Sequence, residues 1–312
     1  MFPTNLPSPI SLLGLSLLPV LTTALQLPNY TNIITSNTNP AVLDVTFHVA
    51  NTTINLWNSG LVSDLKDLVS RLQNDNDTKV VVFRSDVPKY WIAHADLNFD
   101  IDNPTIVTDS IYLINNMTNL QQTTIGAVSG VVRGGGNEFL VSLDMRFASK
   151  PHTLLGQPEV GLGIIPGLGG IQFLARLIGR GRAMEYVLSD NDINAADAER
   201  IGWINKAFDT DEEMEGYVCG LTKRLALFDG EAIKAGRTAV NVATTPDVED
   251  LLEDERVFIE LYRKPSVQAR TKLGTLDDND GERFFGEALP LLYAGAAAGT
   301  GASRRRSVRY GM

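Results

Sequence analysis

Residues 80–83 read Val80-Val81-Val82-Phe83, an unbroken apolar run that reads as a buried strand, and the run sits inside an alternation that leaves few folds open. Before it, Val45, Phe47 and Val49 alternate with Asp44, Thr46 and His48, the period of a half-buried strand. A second short strand at 54–56 is expected to pair with the first across Asn51-Thr52. Leu61, Leu65, Leu68, Val69 and Leu72 then recur at helical spacing. Two strands, a helix and a strand make one turn of a ββα pattern. Another helical pattern through Ile106, Val107, Ile111, Ile114 and Met117 leads into a strand at 124–128. A Gly-rich turn, a short helix from 137 to about 143 and a strand at 145–148 form the next turn. The expected class is therefore α/β, with a repeated ββα unit. Beyond Pro166 the pattern becomes mostly helical, at 170–178, 182–188, 230–242, 248–262 and near 282–293, with one more strand at 203–208. Asn194 with Asp197, and Thr210 with Glu213, look like helix caps with an acidic third position.

A chain of 312 residues can hold one catalytic domain and a tail. The expected division is an apolar leader at 1–24, a polar linker at 25–40, a core at 41–208, a helical region at 209–293 and a low-complexity, disordered tail at 294–312. Residues 10–25 resemble the apolar part of a secretory signal, although no Lys or Arg precedes them and Pro19 interrupts the run. The run is short for a stable membrane span. A formal net charge of -10 argues against nucleic-acid binding, which needs a basic stripe, and the cluster Arg304, Arg305, Arg306 and Arg309 reads as a solvated end. With Cys219 as the only cysteine, no intrachain disulfide can form, and its apolar neighbours suggest a buried helical position. His48, His94 and His152 lack the short spacings of metal ligands, so no metal is expected.

Three segments can carry chemistry. Tyr90-Trp91-Ile92-Ala93-His94-Ala95-Asp96-Leu97 follows the buried strand, and its small residues let backbone N–H groups point into a cleft. In Gly134-Gly135-Gly136-Asn137-Glu138, three glycines open a helix and leave N–H groups uncovered at the positive end of its dipole, a suitable place for a developing oxyanion. The spacing is not that of a dinucleotide-binding fingerprint. Gln157-Pro158-Glu159 leads into Ile165-Pro166-Gly167-Leu168-Gly169-Gly170. Taken singly, Glu138 could be a favourable acid in a first helical turn and Glu159 a loop carboxylate.

Together and in this order, the three segments resemble the crotonase, or enoyl-CoA hydratase/isomerase, superfamily. The resemblance is clear over residues 45–208 and weaker to about 292. Residues 90–97 are similar to the family's Phe-x-x-Ala-Gly-x-Asp-Leu segment, which makes Ala95 the first oxyanion-hole residue. Gly135 matches the second, while Glu138 and Glu159 match the two catalytic glutamates. The resemblance implies a crotonase (ClpP/crotonase-like) superhelix with a C-terminal helical region. It also implies substrate contacts from Ala93, His94, Asp96, Gly134, Pro166 and Gly167. Hydration of a 2-enoyl-CoA in fatty acid metabolism is the implied reaction, with isomerisation of a 3-enoyl-CoA as the alternative and a non-catalytic acyl-ligand-binding or interaction protein as a third. No cofactor is implied beyond the coenzyme A of the substrate, and a homotrimer or hexamer is expected. His94 stands where the family has glycine; if the backbone there needs positive φ, histidine is costly. The leader points to secretion, the implied chemistry to the cell interior.

Overall fold

Strand formation starts earlier than a core at 41–208 would have it. In the computed structural model, which describes residues 25–274 apart from 51 and 101, the stretch expected as a polar linker contains β1 (Ile33–Asn39). It pairs antiparallel with β2 (Val42–Phe47), Ile33 facing Phe47. A strand rich in Asn and Thr suits the rim of a sheet, where one edge meets water, and the buried Ile33 anchors it to the core. The strand expected at 54–56 is β3 (Leu56–Trp57), and it does not pair with β2. Asn55 turns the chain away at φ 46°, a left-handed conformation that Asn tolerates better than most residues.

The next elements repeat a simple unit. After α1 (Ser59–Leu72) come β4 (Val80–Ser85), β5 (Tyr90–Ile92), β6 (His94–Ala95) and α2 (Thr105–Thr118). Then follow β7 (Thr123–Val128), β8 (Val131–Arg133) and α3 (Gly135–Ser142), and after them β9 (Met145–Ser149), β10 (Leu154–Gly156) and the single turn α4 (Glu159–Leu162). Within each unit the first strand joins one sheet and the second joins another. The larger sheet takes β1, β2, β4, β7 and β9 in that order, all parallel after the first pair. β5, β8 and β10 are parallel neighbours in the second sheet, and β3 pairs parallel with β6 in a third. This is the repeated ββα superhelix of the crotonase fold.

Helices α5 (Gly170–Ile178) and α6 (Arg180–Ser189) follow, then β11 (Ile193–Asn194), α7 (Ala195–Ile201) and β12 (Lys206–Phe208). The last of these closes the larger sheet beside β9. α8 (Asp211–Ala226) covers that sheet's outer face by laying Met214 and Val218 on Val80, Val82, Ile125 and Phe147. Cys219 is exposed, contrary to expectation, because it lies about 100° around α8 from the buried Val218. The chain ends, within the described residues, in α9 (Gly230–Thr244), α10 (Val248–Tyr262) and α11 (Pro265–Gly274). The helix expected at 282–293 lies outside the described residues, as do the leader and the Arg-rich tail. No helix among the described residues is long and apolar enough to cross a membrane.

The core bears directly on the site. Phe139 of α3 is wrapped by aromatic rings, with Trp57 and Phe83 at centroid distances of 5.2 Å and Phe47 at 6.0 Å. Every residue of α3 is buried. Such close packing leaves a side chain on this helix little freedom, and Glu138 is the preceding residue.

Candidate active site

Two backbone segments approach each other at the centre of the site. In β6, His94 and Ala95 run parallel to β3, and the Asp96 N–H donates to Trp57 O at 2.9 Å. Successive N–H groups of an extended strand point to opposite sides, so the Ala95 N–H faces away from β3. Gly134, at φ 50° and ψ -131°, adopts a conformation essentially reserved for glycine, and a Cβ there would lie 2.9 Å from Glu159 Oε1. That turn makes Gly135 the first residue of α3, whose N–H has no partner within the helix. A Cβ at position 135 would sit 3.3 Å from the Ala95 Cβ and 3.4 Å from Trp57 Cγ. The approach brings residues 95 and 135 to the wall of one cavity.

That cavity, of about 60 Å³, is lined by Ala95, Gly134, Gly135, Glu138 and Glu159, together with His94, Asp96 and Gly167. Apolar walls come from Leu97, Ile106, Leu162, Leu168 and Phe258. Most of the residues expected at the site are thus brought together from β6, α3, α4 and the loop before α5. Ala93 and Pro166 do not line the cavity. Side chains alternate along the strand, so Ala93 points opposite to His94 and packs with Tyr90 and Val131. Pro166 is buried one residue ahead of Gly167.

The two carboxyl groups differ in support. Glu138 Oε2 accepts hydrogen bonds from the Leu168 and Gly170 N–H groups at 2.7 and 2.8 Å. Burial still dominates and pushes its pKa up to about 7, against the pull of the amides at 170, 168 and 167 and with the Asp254 charge adding to the rise. Glu159 is 6% exposed, and its buried Oε2 has no hydrogen-bond partner. Burial first, and the Glu138 charge second, hold it well above the ordinary carboxyl range. Two neighbouring carboxyls of unequal stabilisation can act as one base and one acid near neutral pH.

The left-handed backbone considered for His94 is not adopted: among the described non-glycine residues only Asn55 and Asp190 have positive φ. His94 fits because β6 is extended. Its Nδ1 lies 2.7 Å from Ala95 O, an acceptor, so the proton is on Nδ1. Burial holds the ring below its usual pKa, in the neutral form.

Two contributors escaped the sequence reading. The buried Asn55 takes the Val49 N–H on Oδ1 at 2.9 Å and donates from Nδ2 to Ser85 Oγ at 2.9 Å, tying β2, β3 and β4 together behind β6. An Asn between apolar residues carries no signal of this. Phe258 reaches the cavity from α10, and no local pattern announces so distant a contact.

A family model described as Enoyl-CoA hydratase/isomerase matches residues 37–276. The short-chain-enoyl-CoA hydratase of Clostridium acetobutylicum is 31% identical over 207 residues, covering 65% of this chain and 78% of that protein. The crotonyl-CoA hydratase of Syntrophomonas wolfei is 29% identical over 207 residues, covering 65% and 79%. Among solved structures, one assigned as an enoyl-CoA hydratase from Streptomyces avermitilis superposes with a TM-score of 0.78 at 32% identity, covering 85% of this chain and 98% of the other. Sequence, fold and the match over most of the chain agree: this protein belongs to the enoyl-CoA hydratase/isomerase family and is an enzyme of that family.

Proposed function

We propose that the enzyme adds water reversibly across the double bond of a 2-enoyl-CoA thioester, with Glu138 as base, Glu159 as acid and the amides of Ala95 and Gly135 as the oxyanion hole. The observation that carries this reading is the unequal support of two carboxyls facing one cavity. Backbone N–H groups favour the charged form of Glu138, whereas Glu159 has none on Oε2 and feels the Glu138 charge. Glu138 accordingly takes a proton from water as the water oxygen bonds to C3. The double-bond electrons move onto the thioester oxygen, between the two amides. Each such donor lowers the barrier by about 3 kcal/mol. Glu159 then protonates C2, the carbonyl re-forms, and a proton passing from Glu138 to Glu159 resets the pair. His94, Asp96, Gly134 and Gly167 line the substrate cavity. No group is required beyond the coenzyme A carried by the substrate.

Crotonyl-CoA turnover by the purified chain tests the reading. Glu138→Gln and Glu159→Gln are each expected to lower kcat by about 10³-fold. If a 3-enoyl-CoA is isomerised instead, and that activity survives Glu138→Gln but not Glu159→Gln, isomerase is the correct assignment. Acyl-CoA binding with neither reaction leaves a ligand-binding protein.

A homotrimer or hexamer is the proposed assembly, supported by the exposed Leu227, Val240 and Val242 on and beside α9; a monomer in sedimentation velocity ends that proposal. Residues 1–24 are proposed as a cleaved secretory leader, which amino-terminal sequencing that returns an intact Met1 would exclude.

A further inference from the structure

Gln157 is wholly buried, yet neither Oε1 nor Nε2 of its side chain has a hydrogen-bond partner. Buried amides are nearly always satisfied, so an unpaired one calls for a reason. The residue stands two positions before Glu159, but its amide reaches the other glutamate. The point that a Cβ on Gly170 would occupy lies 2.4 Å from Gln157 Nε2, 2.7 Å from Glu138 Cγ and 3.0 Å from Glu138 Oε2. Amide and carboxyl thus meet over a glycine whose own N–H is bonded to Oε2. Gln157 does not line the cavity, which places this contact behind the carboxyl rather than on the substrate side.

We propose that Gln157 is a positioning residue for Glu138, turning its Nε2 edge toward the carboxyl and favouring the ionised form from behind. The inference rests on the reading of Glu138 as the base. Because neither end of the amide is tied to another group, it can adopt the orientation that the carboxylate prefers. Oε2 already receives two backbone N–H groups, so the amide acts as an oriented dipole rather than as a third hydrogen bond. In a dry interior such a dipole is poorly screened. Around Glu138, Glu159 on α4 and Asp254 on α10 oppose its charge, while the amides of 167, 168 and 170 favour it. His94 and Asp96 face the same cavity from β6 and the turn after it. Gln157 joins the favourable side as a side chain, and is therefore open to substitution.

The test follows the Glu138 carboxyl by infrared difference spectroscopy, its band assigned by loss in Glu138→Gln. In Gln157→Met, which keeps the length and removes the dipole, the carboxyl is expected to titrate about one pH unit higher. The rising limb of kcat/KM against pH for crotonyl-CoA moves with it, at unchanged KM. Gln157→Asn, which keeps the amide on a shorter stem, returns part of the shift. A carboxyl that titrates at the wild-type pH in folded Gln157→Met overturns the inference. Should that variant not fold by circular dichroism, Gln157→Glu carries the same test, with a larger upward shift expected and an unshifted band again decisive. Turnover in Glu138→Gln reads the assignment of the base separately, so the two failures are distinct.

Discussion

Burying Glu138 is unfavourable for stability, and the sign of that effect can be measured. Its pKa rises from 4.5 to about 7 on folding, so between those values the native state binds more protons than the unfolded chain. Stability conferred by such a group is present below the lower value and is lost as pH rises through the upper one. Glu138→Gln keeps an acceptor for the Leu168 and Gly170 amides and has no charge to bury. This variant is expected to melt roughly 7 °C above wild type at pH 8 and within about 1 °C of it at pH 4. Parallel melting curves at both pH values would contradict the argument. The identities of Glu138 and Glu159 were legible in the sequence, because glycine turns and a Gln-Pro-Glu string set them apart. Their different hydrogen-bond support was not, since the amides at 167, 168 and 170 come from a loop some thirty residues away from Glu138.

At the level of elements, local period and capping chemistry located most helices and strands. Asn194 accepts the Asp197 N–H and Thr210 the Glu213 N–H, as their spacing suggested. Pairing was less accessible: β2 finds β1 rather than β3, because β1 lacks an apolar alternation and is recognised only through its antiparallel partner. α9 illustrates a second difficulty. None of its residues is buried, so apolar packing contributes little to its placement. Arg237 instead joins Asp144 at 2.7 Å and donates to the carbonyls of Met117, Thr118 and Leu120, with its side chain 8% exposed. Cutting such a covered pair leaves acceptors unsatisfied, and Arg237→Ala is expected to cost about 2–4 kcal/mol in urea unfolding. Arg71→Ala, which breaks the half-exposed pair with Asp67, should cost far less, because solvent screens that pair. Equal losses in the two variants would mean that α9 is held by something else.

Across the whole molecule, the superhelix forms the chemical floor of the cavity and the C-terminal helices close its far wall. Phe258 packs so tightly on Gly167 that a Cβ there would lie 2.7 Å from its Cγ, and Phe99 and Tyr262 stack beside it at 6.0 and 5.7 Å. Phe258→Ala is expected to raise kcat/KM for an eight-carbon enoyl-CoA, relative to the four-carbon substrate, by roughly tenfold. An unchanged ratio would place the acyl chain elsewhere. The sequence by itself determined the repeated ββα order and the family, and it singled out two glutamates that line one cavity, because period, turn residues and short motifs are local properties of a chain. Only the tertiary structure decided that residues 95 and 135 line one cavity, that a Glu138 oxygen is cradled by amides while Glu159 Oε2 is left without a partner, and that α10 supplies a wall. Each of those depends on atoms distant in sequence, and burial, which sets the charge of both acids, exists only once the chain has folded around them.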